Sequence, residues 1–79
     1  MPVAYLLINC ELGYERAVIE QLRQLDYVKE VAATFGTFDI LAKLVSPTTS
    51  ELNNTLSKEI RKVENIKGTL TLIGIEGQD

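Results

Sequence analysis

The stretch that decides the fold is residues 28–45, VKEVAATFGTFDILAKLV. Two runs rich in β-branched and aromatic residues, Val28 to Phe35 and Phe38 to Val45, flank a single glycine. Glycine reaches positive φ without steric penalty, so this punctuation predicts a tight antiparallel hairpin with Gly36 and Thr37 at the turn. Ser46-Pro47 closes the second run, because proline has no N–H to give to a ladder. Asp39 then starts the second strand, where aspartate is disfavoured. Its carboxylate either accepts a turn N–H or faces water, the plainer reading, or faces a pocket and takes a cationic group.

Outward from the hairpin, Val3 to Cys10 is an apolar run broken only by Asn9, which reads as a strand. Both of its alternating sets are apolar: Ala4, Leu6 and Ile8 on one face, Val3, Tyr5 and Leu7 on the other. Gly13 to Leu25 reads as a helix, with Tyr14, Val18 and Leu22 at helical spacing and Glu15 favourably placed in the first turn. Asp26-Tyr27 closes it. Thr48-Thr49-Ser50-Glu51 is a capping box, with Thr48 as N-cap and Glu51 three residues on. It opens a second helix that turns Leu52, Leu56, Ile60 and Val63 inward. Asn65 tolerates the left-handed conformation and ends that helix. Ile66 to Glu76 is the last strand, with Thr69, Thr71, Ile73 and Ile75 on one face and Leu70, Leu72 and Gly74 on the other. Gly77-Gln78-Asp79 reads as a frayed end.

The order β-α-β-β-α-β defines one α+β domain over residues 1–79: a ferredoxin-like, four-stranded antiparallel sheet with two helices on one face. The other face should be polar if it met water. In the first strand it is not, so a second sheet is the simplest cover, giving a face-to-face dimer of the α+β-barrel type. A chain of 79 residues buries only about 60–65% of its unfolded surface. Its single cysteine excludes an internal disulfide, and with no histidine a metal cluster is not expected. Association between chains is the remaining support.

The composition narrows function further. A net charge of -3, with Lys and Arg interleaved with Glu, does not provide the clustered basic surface that nucleic acid requires. No apolar run reaches the ~18 residues of a membrane span, and no charged leader precedes the first apolar run. The cytoplasm is the expected compartment. Without histidine, the usual base for a Ser, Thr or Cys nucleophile is missing, and Cys10 in its apolar run reads as a small buried hydrophobe. Glu11 with Glu15, and Glu59 with Glu64, read as solvated helix charges. There is no glycine-rich phosphate loop and no CxxC. What remains are the hairpin residues Thr34, Gly36, Thr37 and Asp39, and the pair Thr69 and Thr71, which β propensity alone also explains.

Taken together, Leu12-Gly13-Tyr14-Glu15, Val28-Lys29-Glu30-Val31, the hairpin Gly36-Thr37-Phe38-Asp39 and the closing Ile66-Lys67-Gly68-Thr69-Leu70-Thr71-Leu72-Ile73 resemble the effector domain of the Lrp/AsnC transcription regulators. This domain is also called the regulation-of-amino-acid-metabolism (RAM) domain. The resemblance covers residues 3–76. It implies dimers joined through their sheets, rings of dimers, and a small effector, typically an amino acid, bound between dimers near the hairpin. By match to the motif it carries over Gly36 and Asp39 as hairpin and pocket residues with Thr37 and Phe38 between them, and Thr69 and Thr71 as a hydroxyl pair; the hairpin hydroxyl of Thr34 is a further expected ligand-binding residue. No cofactor and no metal are expected. The family's regulators carry a helix-turn-helix domain ahead of this one. Here the chain starts at the first effector-domain strand, which resembles members made of the effector domain only, with no DNA-binding domain. Gly74 stands where a β-branched residue is usual, an expected weak point of the last strand.

These features lead to a non-catalytic amino-acid sensor that oligomerises and modulates full-length regulators of the family. Two other readings share the topology. One is a cofactor-free monooxygenase or isomerase of the dimeric α+β kind, disfavoured because His and Trp are absent. The other is an ACT-type amino-acid-binding module, for which Glu11-Leu12-Gly13 is only a partial match.

Overall fold

The structure is a computed structural model that describes residues 1–75. In chain order it contains β1 (Val3–Cys10), α1 (Glu15–Arg23), β2 (Val28–Ala33), β3 (Ile40–Val45), α2 (Thr49–Asn54) and β4 (Ile66–Ile73). The sheet order is β2-β3-β1-β4, with every neighbouring pair antiparallel. This is the expected split βαβ arrangement. The expected end of the last strand at Glu76 and the frayed Gly77-Gln78-Asp79 lie outside the described residues.

Alternation along the strands sorts the side chains into two layers. Ala4, Leu6, Ile8 and Cys10 of β1 and Ile40, Ala42 and Leu44 of β3 face the helices and are buried. Val18 and Leu22 of α1 meet them, as do Leu52, Ile60 and Val63 from the second helical segment. On the other face, the β1 residues Tyr5 and Leu7 pair with Leu72 and Leu70 of β4. Tyr5, Leu70 and Leu72 are exposed in the single chain. The two-sided apolar character of β1 therefore has its structural counterpart: one face is the core, and the other is an open apolar surface.

Several element boundaries differ from the expectation. α1 begins at Glu15 because Gly13, at φ 88°, diverts the backbone out of helical geometry. The connection between β2 and β3 is a six-residue loop, residues 34–39, rather than a two-residue turn. The second helix changes pitch. After α2 the chain makes a π turn over Thr55–Glu59 and then a 3₁₀ turn over Ile60–Lys62. A π turn closes i→i+5 bonds, so Thr55 and Ile60, both buried, fall on one face. Asn65 is left-handed as expected, at φ 70°. β4 ends at Ile73, yet the Gly74 N–H still donates to the Val3 carbonyl at 2.7 Å. A Cβ on Gly74 would sit 3.2 Å from that oxygen, so the glycine permits a close approach here.

The capping box forms in a variant way. The Thr48 hydroxyl oxygen accepts the Glu51 N–H at 3.1 Å, and the Thr48 hydroxyl donates to the Glu51 carboxylate at 3.3 Å. Tyr27, in the turn that follows α1, lies near this cap, and burial together with the Glu51 charge pushes its phenol above the ordinary value. Thr48→Ala removes the acceptor for the Glu51 N–H and is expected to lower stability by about 1 kcal/mol. That is a fall of about 4–8 °C in melting temperature for a domain of this size, measured by calorimetry.

Candidate functional site

Asp39 joins three segments at one end of the sheet. Its backbone N–H donates to the Ile8 carbonyl at 2.9 Å, and its carbonyl accepts the Thr34 N–H at 2.8 Å. Its carboxylate oxygen Oδ2 accepts the Cys10 N–H at 3.0 Å. That N–H points towards β3, beyond the last residue pair of the β1–β3 ladder at Ile8 and Ile40, so a side-chain acceptor satisfies it where the ladder has ended. Asp39 therefore accepts a backbone N–H, but from across the sheet rather than from its own turn. It stands in the loop just before β3 rather than inside the strand.

The loop is braced by the Thr34 hydroxyl, which donates to the Phe38 carbonyl at 2.7 Å. Gly36 has φ 118°, and nothing lies within 4 Å of a Cβ built there. Its requirement is conformational, not spatial. Thr34, Phe35, Gly36 and Thr37 are exposed, Phe35 fully so, while Phe38 and Asp39 are half-buried.

Thr69 and Thr71 sit elsewhere. They pair with Ile8 and Leu6 and so project from the helix-facing side of β4, where both are exposed. β1 separates them from β3. With strands ~4.8 Å apart, Thr69 stands about 10 Å from Ile40 along one row. One chain unites the hairpin residues into a network but does not bring the hydroxyl pair to them. Thr69 instead borders a cleft of about 480 Å³ between the second helical segment and β4, with Leu56, Ser57, Ile60 and Arg61 opposite. The hydroxyls of Thr37, Thr69 and Thr71 make no hydrogen bond among the described residues.

Two participants escaped the sequence reading. The Cys10 amide becomes a site element only through its long-range partner Asp39, which no local residue pattern announces. The cleft is lined in part by Leu56 and Ser57 of the π turn. Cys10 itself is buried beside Asp39. Burial first, then the charges of Glu15 and Asp39, push its thiol above the ordinary value of 9.0. Its side chain acts as a packed hydrophobe, as expected. Among the described residues no group of three His, Cys, Asp or Glu side chains is placed to hold a metal ion.

These elements define a ferredoxin-like domain with a polar loop network at one end of its sheet. The chain belongs to the Lrp/AsnC ligand-binding domain family, whose model matches residues 3–76. It is 31% identical over 71 residues to the regulatory protein AsnC of Haemophilus influenzae, a match covering 90% of this chain and 47% of that protein. The chain thus spans about half the length of the curated regulator it matches. It is also 36% identical over 69 residues to a homocitrate synthase of Sulfurisphaera tokodaii, covering 86% of this chain but 15% of the enzyme. The crystal structure of FFRP-DM1 superimposes with a TM-score of 0.89 at 33% identity, covering 95% of this chain and 100% of that one. The family relationship supports an effector-binding, regulatory role. No helix among the described residues is long and apolar enough to cross a membrane.

Because the folded Cys10 thiol holds its proton above pH 9.0, the unfolded chain ionises first as pH rises. The stability this thiol contributes is complete below that pH and is lost as pH rises through the folded value. Alkylation by iodoacetamide at pH 8 is expected to be at least about tenfold slower in the native protein than in urea, accelerating only above pH 9. Equal rates in the two states would show that the thiol is neither shielded nor shifted.

Proposed function

We propose that this domain senses a small amino acid at the hairpin end of the sheet and conveys its presence by assembly with other chains, without catalysing a reaction. The observation that carries the reading is the state of the Asp39 carboxylate. Oδ2 is held by the Cys10 amide, which fixes the group in place, while Oδ1 accepts no bond among the described residues. A half-buried, oriented carboxylate with one oxygen to spare is suited to an ammonium group. The exposed Gly36 turn offers backbone N–H groups for a carboxylate, and Thr34, Thr37 and Phe38 border the same place. Thr69 and Thr71 join only if a neighbouring subunit supplies them, which makes the complete pocket an interface between copies.

The open apolar face supports sheet-to-sheet dimers, with rings of dimers as the larger form. Regulation of transcription would run through co-assembly with full-length regulators in the cytoplasm, since the charge of -3 does not favour direct DNA contact. Similarity to 15% of a homocitrate synthase fits a ligand-binding module that can accompany an enzyme whose chemistry lies elsewhere in its chain. An enzymatic role for the present domain finds no support in its residues, which include neither His nor Trp.

Two or three charge-assisted hydrogen bonds, less the cost of immobilising a small ligand, place the dissociation constant on the order of micromolar to millimolar. Asp39→Asn is the informative variant. Its amide oxygen can still accept the Cys10 N–H, while its NH₂ replaces the free oxygen with a donor. The melting temperature should stay within a few degrees of the parent, and calorimetric titration with the amino acid that binds the parent should show affinity reduced about tenfold or more. Undiminished binding by Asp39→Asn would exclude the ammonium role. Loss of fold without ligand would make Asp39 purely structural.

The dimer has its own check. Leu72 is half exposed in the single chain, so Leu72→Lys leaves the core intact yet places a charge on the open face. Light scattering at low micromolar concentration should report a dimer or larger for the parent and a folded monomer for the variant.

A further inference from the structure

The open face carries a charged pair in an apolar setting. Its middle row runs Glu30, Lys43, Tyr5 and Leu72 across β2, β3, β1 and β4. The row beside it, from Ala32 to Leu70, is wholly apolar. Lys43 Nζ lies 4.0 Å from a Glu30 carboxylate oxygen, with side chains 36% and 74% exposed. Glu30 is on an edge strand and can reach water, but Lys43 is on an inner strand next to Tyr5. A solvated pair at this distance contributes little to the stability of one chain. A cover over the face changes its weight, because an ammonium taken from water without a carboxylate is strongly unfavourable.

We propose that the Lys43–Glu30 pair selects the partner of the open face, and that the partner it selects is a second copy of this chain. The inference rests on the sheet-to-sheet dimer proposed above. A two-fold interface repeats every side chain, so a second copy brings one more ammonium and one more carboxylate, and the covered charges balance. A wholly apolar sheet would desolvate the pair and return nothing. A sheet bearing one unmatched charge would leave like charges together under cover. The apolar rows supply adhesion, and the pair supplies discrimination.

The test uses two single variants and their mixture, read by native mass spectrometry and sedimentation, with circular dichroism confirming the fold. Lys43→Glu puts four carboxylates into a homodimer, and Glu30→Lys puts in four ammonium groups. Each variant alone is expected to show a dimer dissociation constant raised about a hundredfold or more. Mixed in equal amounts they should form the one-to-one heterodimer, since each brings the charges the other lacks. The double variant Lys43→Glu/Glu30→Lys should regain the homodimer, which keeps the question open to refutation if a single variant fails to fold. Parent-like homodimers of both single variants would overturn the proposal by placing the pair outside the contact. Monomers that do not combine on mixing would overturn it by confining the pair's effect to its own chain, as would a monomeric double variant. A parent chain that is itself monomeric would instead remove the dimer on which the proposal rests.

Discussion

β1 runs through the middle of the sheet with β3 on one side and β4 on the other, and it is apolar on both faces. Such a strand needs cover twice. The two helical segments supply one cover, and the packing of Leu6, Ile8, Leu22, Ile40 and Leu44 follows from it. Among the described residues no third layer covers the other face. Tyr5, Leu7, Leu70 and Leu72 are therefore left at the surface by topology rather than by any irregularity of their own. In a domain this small the core alone is a modest source of stability, and the proposed association would act through this uncovered apolar face.

The same strand organises the polar end. Beyond Ile8, where its pairing with β3 ends, the Cys10 amide would lack a partner, and Asp39, just ahead of β3, supplies one. The carboxylate is thereby doubly constrained, by its backbone bonds to Thr34 and Ile8 and by the side-chain bond. In the proposed binding role, structure and recognition would draw on different oxygens of one side chain, the first use orienting the second.

Much of this was legible in the residues. The alternation of Ala4, Leu6 and Ile8 against Tyr5 and Leu7, the cap at Thr48 and the terminator at Asn65 are local signals, each set by the side chain's own stereochemistry, and each appears where it should. The misread parts are non-local. Gly36 marks a turn, but the loop's length depends on Asp39 bonding to Ile8 and Thr34, and that bond competes with simple ladder pairing. The Cys10 amide and its acceptor are 29 residues apart in sequence. Thr69 and Thr71 matched a motif, yet the topology places β1 between them and the hairpin, a separation that motif spacing does not encode.

The π turn at Thr55–Glu59 has a consequence for how the chain could vary in length. Buried residues along this segment fall at Leu52, Thr55, Ile60 and Val63, a spacing of three, five and three. Only the wide turn accommodates the five. Removing one residue there would return the segment to regular α spacing while keeping Leu52 and Ile60 on the sheet-facing side. The connection from β3 to β4 can therefore lose a residue inside a helix without shifting the strands it joins, a tolerance ordinarily reserved for surface loops.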